Sequence, residues 1–215
     1  MSVDFFECNR CQNIHVTEQE VTGRFFRNAP PDRLSSANAY TVDGIDLYAE
    51  AAGYRRIWRH DLDLPLPPDC GRYDLICCCE GIEHVGNPLL LLREFFVRLP
   101  AGGRLVVTTP NIWYPQARLQ YLLRGFFPSF PALVGKIVPG THMHITPWSW
   151  PQLHLYLKLA GFSEIRILPE PMSAAKHWYE LLFALPAKLH CQHRVRKATT
   201  DEQREFWGIA GSGPA

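Results

Sequence analysis

Net charge is nearly absent from this sequence. Its 215 residues carry 22 Lys and Arg against 21 Asp and Glu, a formal net charge of +1. That balance gives no footprint for nucleic acid, and none for a membrane surface as a whole. Long apolar runs are missing as well: no stretch approaches the roughly 20 residues that span a bilayer. Met1–Arg10 contains Asp4 and Glu7 and lacks a basic start followed by an apolar run, so no signal peptide is expected. A second CxxC is missing too. Cys8-Asn9-Arg10-Cys11 stands alone with His15 nearby, whereas a structural zinc site takes four ligands. The pair reads as ordinary free cysteines. Seven cysteines is an odd number, and Cys77, Cys78 and Cys79 are consecutive. Neighbours on a strand face opposite sides, so these are packing thiols of a reducing compartment, with the cytoplasm expected. Glycine is scarce at the start, with only Gly23 and Gly44 before Gly53.

What is present is an ordinary globular composition, 47% hydrophobic and 20% charged, in a length that suits one domain. The clearest stretch runs from Tyr73 to Asn111. Asp74 to Cys79 is a short apolar run bounded by polar residues, as a buried parallel strand would be. Asn87 and Pro88 open a helix over 88–99, with Leu89, Leu92, Phe96 and Leu99 at helical spacing. Pro100, Gly102 and Gly103 end it, and Arg104 to Thr109 gives a second buried strand. Strand, helix and strand with short joints make a βαβ unit and a parallel sheet. Further strands are expected at 41–46, 56–60 and 162–168, short ones at Asn13–Val16 and Glu20–Phe26, and a short helix at Leu47–Ala52. Ala29-Pro30-Pro31-Asp32 is a turn or linker. Ile112 to Pro139 holds a helix around Ala117–Leu123 and the aromatics Trp113, Tyr114, Phe126, Phe127 and Phe130, which either line a pocket or pack on the sheet. A helix over 149–160 ends at Gly161, with Thr146 as its cap and Pro147 in its first turn. Lys176 to Leu189 is amphipathic. It covers the sheet, contacts a partner or lies on a membrane surface as a peripheral contact. His190 to Lys197 reads as an edge strand or a basic tail. The chain divides into a divergent segment 1–39, a domain 40–197 and a disordered tail 198–215.

The motifs Tyr73-Asp74, Glu80, Glu83-His84-Val85, Asn87-Pro88, Gly102-Gly103 and Thr109-Pro110-Asn111 resemble those of class I S-adenosylmethionine (SAM)-dependent methyltransferases, of the type 11 and type 23 kind. The resemblance covers residues 40–168. It implies an α/β, doubly wound Rossmann-like sheet, and SAM as cofactor. The glycine-rich loop that members carry about twenty residues before the position of Asp46 is absent, so the first βα unit is missing or substituted. By the same resemblance Asp46, or more weakly Asp43, accepts from the ribose hydroxyls. Asp61 and the backbone N–H near Leu62 meet the adenine, and Cys79 and Glu80 border the cofactor. The alternative reading of both Asp46 and Asp61 is a solvated loop or a cap.

Glu80, Glu83 and His84 stand at i, i+3 and i+4, one face of the chain if it turns helical after the strand. Two carboxylates and an imidazole could hold a divalent cation that orients an acceptor hydroxyl and lowers its pKa. Similar E-x-x-E-H triplets bind magnesium in ubiquinone-pathway O-methyltransferases and in small-RNA 3′-end methyltransferases, the latter with a further histidine for which His142 or His144 would serve. Mg2+ is therefore the cation expected. The alternative is loop hydrogen bonding by Glu83 and His84, and without a metal His84 remains a general base. By analogy the acceptor is a hydroxyl of a small molecule or glycan. An RNA acceptor is disfavoured by the lack of a basic face. The competing expectation is a degenerate homologue without catalysis that serves as a binding partner.

Overall fold

The computed structural model describes residues 2–8, 42–47, 54–113, 115–130, 144–168 and 178–211. Strands β1 (Ser2–Cys8), β4 (Leu75–Cys79), β5 (Arg104–Pro110) and β6 (Glu164–Leu168) form one sheet in the order β4-β5-β1-β6. Strands β2 (Asp43–Asp46) and β3 (Arg56–Arg59) form a separate pair. Every pairing is parallel. In particular β4 and β5 lie side by side from Leu75↔Arg104 to Cys79↔Thr108, as the βαβ reading requires. Between them runs α1 (Pro88–Arg98). Asn87 caps it by accepting the Leu90 N–H at 3.3 Å, with proline in the first turn where its missing N–H costs nothing.

Alternation along the strands divides the interior. Ile76 and Cys78 of β4, Leu105 and Val107 of β5, and Ile165 and Ile167 of β6 join Leu91, Leu92 and Phe95 of α1 in the main core. Leu153, Leu157 and Ala160 of α3 (Trp150–Ala160) complete it. Leu75, Cys77 and Cys79 point the other way and cluster with Val42. The three consecutive cysteines thus face alternate sides and are all buried, as a period of two dictates.

Several expectations are corrected. No strand was read at the N-terminus, yet β1 sits between β5 and β6, hydrogen-bonded to both. A strand in that position satisfies backbone groups on two neighbours that would otherwise be sheet edges. Its sequence has no clean alternation to announce it. The α3 cap is Ser149, not Thr146, and the proline of its first turn is Pro151 rather than Pro147. His190 to Lys197 is neither strand nor tail: α4 runs from Trp178 to Arg196. The sequence there is rich in good helix formers, and Cys191 is a buried anchor within it. Within 198–215, read as a disordered tail, the chain forms α5 (Asp201–Gly211). Thr200 Oγ1 accepts the Gln203 N–H at 3.2 Å, which is one half of a capping box that T-x-x-Q spells in the sequence. The segments Asn13–Val16 and Glu20–Phe26, most of Leu47–Ala52, and Cys11, Tyr114 and His142 lie outside the described residues.

Candidate active site

The site is assembled where β4 ends. Glu80, the first residue past the strand, adopts φ +48°, a left-handed conformation that costs a side-chain-bearing residue of the order of 1–3 kcal/mol. It is held there by β5. The Glu80 N–H donates to the Thr108 carbonyl at 3.1 Å and to Thr108 Oγ1 at 3.0 Å. Burial raises the Glu80 carboxyl pKa, against a smaller lowering by hydrogen bonding to Thr108. The turn at Glu80 sends the chain into a single 3-10 turn, Ile82–His84. An α-helical face carrying Glu80, Glu83 and His84 together therefore does not form.

Ile82 and Glu83 are completely buried. The Glu83 carbonyl accepts two backbone N–H groups, from Ile145 at 2.7 Å and Thr146 at 3.1 Å. These bonds fasten the segment before α3 onto the 3-10 turn and bring in His144. Its ring meets that of His84 edge-on, with centroids 4.5 Å apart, and on another side the ring of Phe130 at 5.1 Å. His84 Nε2 lies 3.8 Å from Glu83 Oε1. One ligand atom from each of Glu83, His84 and His144 falls within 4.8 Å of the others. The structure thus gathers one carboxylate and two imidazoles and leaves Glu80 out of that group.

Of the remaining sequence-predicted residues, Asp46, Asp61 and Leu62 lie at or just past the carboxyl ends of β2 and β3, and Cys79 is the last residue of β4. Asp46 is the last residue of β2, half-buried, and its carbonyl accepts the His60 N–H at 3.1 Å. Its charge helps to raise the Tyr54 pKa, second to burial. Asp61 is exposed, and its Oδ1 accepts the Asp63 N–H at 3.0 Å in a local turn. Leu62 packs against the main core and Cys79 is buried. Asp43, the weaker ribose candidate, is held by two side chains. It is buried, clamped by both ends of the Arg55 guanidinium at 2.8 and 2.5 Å, and accepts from the Tyr73 hydroxyl at 3.1 Å. That network ties β2 to the approach of β4. Burial and the Asp43 charge push the Tyr73 pKa up.

A family model described as a methyltransferase domain matches residues 22–166 of this chain. This chain belongs to the class I methyltransferase family. It is also similar to a ubiquinone biosynthesis O-methyltransferase of Aeromonas salmonicida (strain A449), with 31% identity over 123 residues, 49% of this chain and 48% of the relative. The chain therefore spans about half the length of that relative. Methyltransferase membership implies a Rossmann-like α/β fold, which the parallel strands and helices agree with, and use of SAM.

Two residues of this candidate site escaped the sequence reading. Thr108 holds Glu80 in its turn, and the doublet Thr108-Thr109 at the end of an apolar strand was the available signal. Asp63 Oδ1 accepts the Asn87 N–H at 2.8 Å and lies against Gly86, pinning the loop after β3 to the start of α1. The spacing of Asp61 and Asp63 was visible, but the partner twenty-four residues on was not. Among the described residues, no helix is long and apolar enough to cross a membrane.

Proposed function

We propose that this methyltransferase domain transfers a methyl group from SAM to a hydroxyl of a small molecule or glycan. The observation that carries the reading is the convergence of Glu83, His84 and His144 just past the carboxyl end of β4. Ligands of open parallel sheets bind at that edge. In this reading SAM supplies an electrophilic methyl sulfonium. Asp46 accepts from the ribose hydroxyls, Asp61 and the Leu62 N–H meet the adenine, and Cys79 and Glu80 border the cofactor. A half-buried Asp46 and an Asp61 at adjoining strand ends support that assignment. His84 takes the proton of the acceptor hydroxyl as the oxygen forms its bond to the methyl group, and the pair of electrons leaves with sulfur. The likeness to an enzyme named as an O-methyltransferase supports oxygen as the acceptor atom. The absence of a basic composition supports a small acceptor rather than RNA.

The cation is a further part of this proposal. With it bound, Glu83, His84 and His144 would hold it, and it, in place of a His84 base, would orient the hydroxyl and lower its pKa. Two imidazoles and one carboxylate suit manganese better than magnesium, because manganese takes imidazole nitrogen more readily while magnesium keeps to oxygen ligands. The doubly wound domain is read over 40–197 with β1 added to its sheet, acting in the cytoplasm, where free thiols such as Cys70 and Cys191 persist. The test is release of S-adenosylhomocysteine with a panel of phenols, catechols and sugars, with and without added manganese or a chelator. Methylation of RNA ends and of no small hydroxyl would overturn the acceptor class.

A second reading has its own observation. The glycine-rich loop expected before Asp46 is absent, with Gly44 the one glycine close by, packed against the Tyr54 ring. A homologue that no longer binds SAM would act only through its surfaces, and a SAM-binding measurement separates the two.

A further inference from the structure

The most exposed large apolar side chains among the described residues are Leu122 and Leu123, 77% and 73% exposed. They sit in the last turn of α2 (Pro115–Arg124). Tyr121 beside them is half exposed and stacks on Phe127, ring centroids 4.5 Å apart. Adjacent large leucines in water lose the burial free energy that drives folding, so this exposure marks an interaction surface.

Charge selects the occupant. Arg118 and Arg124 are exposed on the same helix, and α2 contains no acidic residue. The lack extends much further: no Asp or Glu occurs anywhere from Phe95 to Ser163. A chain of near-zero net charge is thus strongly asymmetric, with an acid-free stretch around its most exposed leucines. Arg118 lies over the Trp113 ring, its guanidinium carbon 5.7 Å from the centroid. A second copy of this chain docking through α2 would set these arginines against their like, with no carboxylate on the helix to answer them. Leucine pairs with a flanking tyrosine and cations are instead what an interfacial helix presents to an anionic bilayer.

We infer that the α2 tip, Tyr121–Arg124, inserts into the surface of an anionic lipid bilayer, with Arg118 and Arg124 meeting the headgroups. This goes beyond the methyl-transfer reading and does not depend on it. The place of α2 in the chain gives the contact a use. Its segment leaves the sheet at the end of β5 and returns at Phe130 against His144, so a membrane-borne acceptor would arrive beside the site.

The experiment is vesicle co-sedimentation of the full chain. One vesicle is pure phosphatidylcholine and the other contains phosphatidylglycerol at about one part in three. Binding is expected on the anionic vesicle, weakened by salt and far weaker on the neutral one. The double variant Leu122→Glu, Leu123→Glu should lose about tenfold or more of that affinity, and Arg124→Gln about fivefold. Both positions are exposed, so the melting temperature should not move. Absence of binding, binding that ignores the leucine variant, or equal binding to both vesicles overturns the inference. So does a dimer in light scattering that the leucine variant dissociates, which assigns the patch to a second copy. SAM binding measured on the same samples reports separately on the methyltransferase reading.

Discussion

His84 and Glu80 show what a single backbone decision does to chemistry. The left-handed turn at Glu80, fixed by the Thr108 backbone and hydroxyl, separates Glu80 from Glu83 and His84 although the three are close in sequence. In its place comes His144, sixty residues on, delivered by the two N–H bonds to the Glu83 carbonyl. E-x-x-E-H was legible as a candidate constellation, but which members converge depends on a φ angle that no letter in the motif encodes. The expected consequence at this scale concerns His84→Gln. If His84 removes the acceptor proton, single-turnover methyl transfer should fall by about a hundredfold or more. SAM binding and the melting temperature should stay near wild type. A variant that transfers methyl groups at the wild-type rate would remove His84 from the chemistry.

At the scale of elements, α3 and its ends carry two expectations. Gly161 ends the helix at φ +114°, and a Cβ there would lie 2.9 Å from the Phe96 ring, which itself packs edge-on against Phe162. Gly161→Ala should therefore cost about 2–3 kcal/mol, read as a lower denaturant midpoint at unchanged slope; an unchanged midpoint would refute the account. This glycine was legible, because a helical stop followed by a strand is local information. The second expectation rests on α5 docking against α3. Lys158 donates to Glu202 at 3.0 Å, and Trp150 stacks on Phe206 with centroids 6.4 Å apart. His154, on the same side, has its pKa lowered by burial, with Glu202 opposing and Lys158 reinforcing. A lowered folded-state pKa means that the unfolded chain binds the proton first, so stability falls as pH drops below about 6.5. His154→Gln should flatten that part of the pH–stability curve, leaving the later loss from Glu202, whose pKa Lys158 holds down. Equal slopes for the two proteins between about pH 5 and 6.5 would contradict it. The α5 helix was missed from sequence because its glycines and short length outweighed the Thr200-x-x-Gln203 capping signal.

For the whole molecule, the question is whether a sheet without the glycine-rich loop still takes up SAM. At a hundredfold excess over its dissociation constant, a ligand of the native state stabilises it by about 2.7 kcal/mol. SAM should raise the melting temperature accordingly, and Asp46→Ala should abolish the rise. A cooperative melt that millimolar SAM leaves unmoved would favour the non-catalytic homologue. Both β2–β3 and the larger sheet present their site residues at carboxyl ends, and Ile45 of β2 shares the main core with Ile76 of β4. This packing places Asp46 on the same assembly as Glu80.

The sequence by itself determined the parallel β4–α1–β5 unit, the helix stop at Gly161, the alternation of three buried cysteines and the family. Each of these is written in local periodicity or in residues a few positions apart. Only the tertiary structure decided that β1 enters the sheet between β5 and β6, that Asp43 belongs to Arg55 and Tyr73, and that His144 completes the cluster at Glu83 and His84. Those outcomes depend on hydrogen bonds and ion pairs between residues from twelve to 162 positions apart. No period in the chain announces such pairs; they form because buried polar groups must find partners in the packed fold.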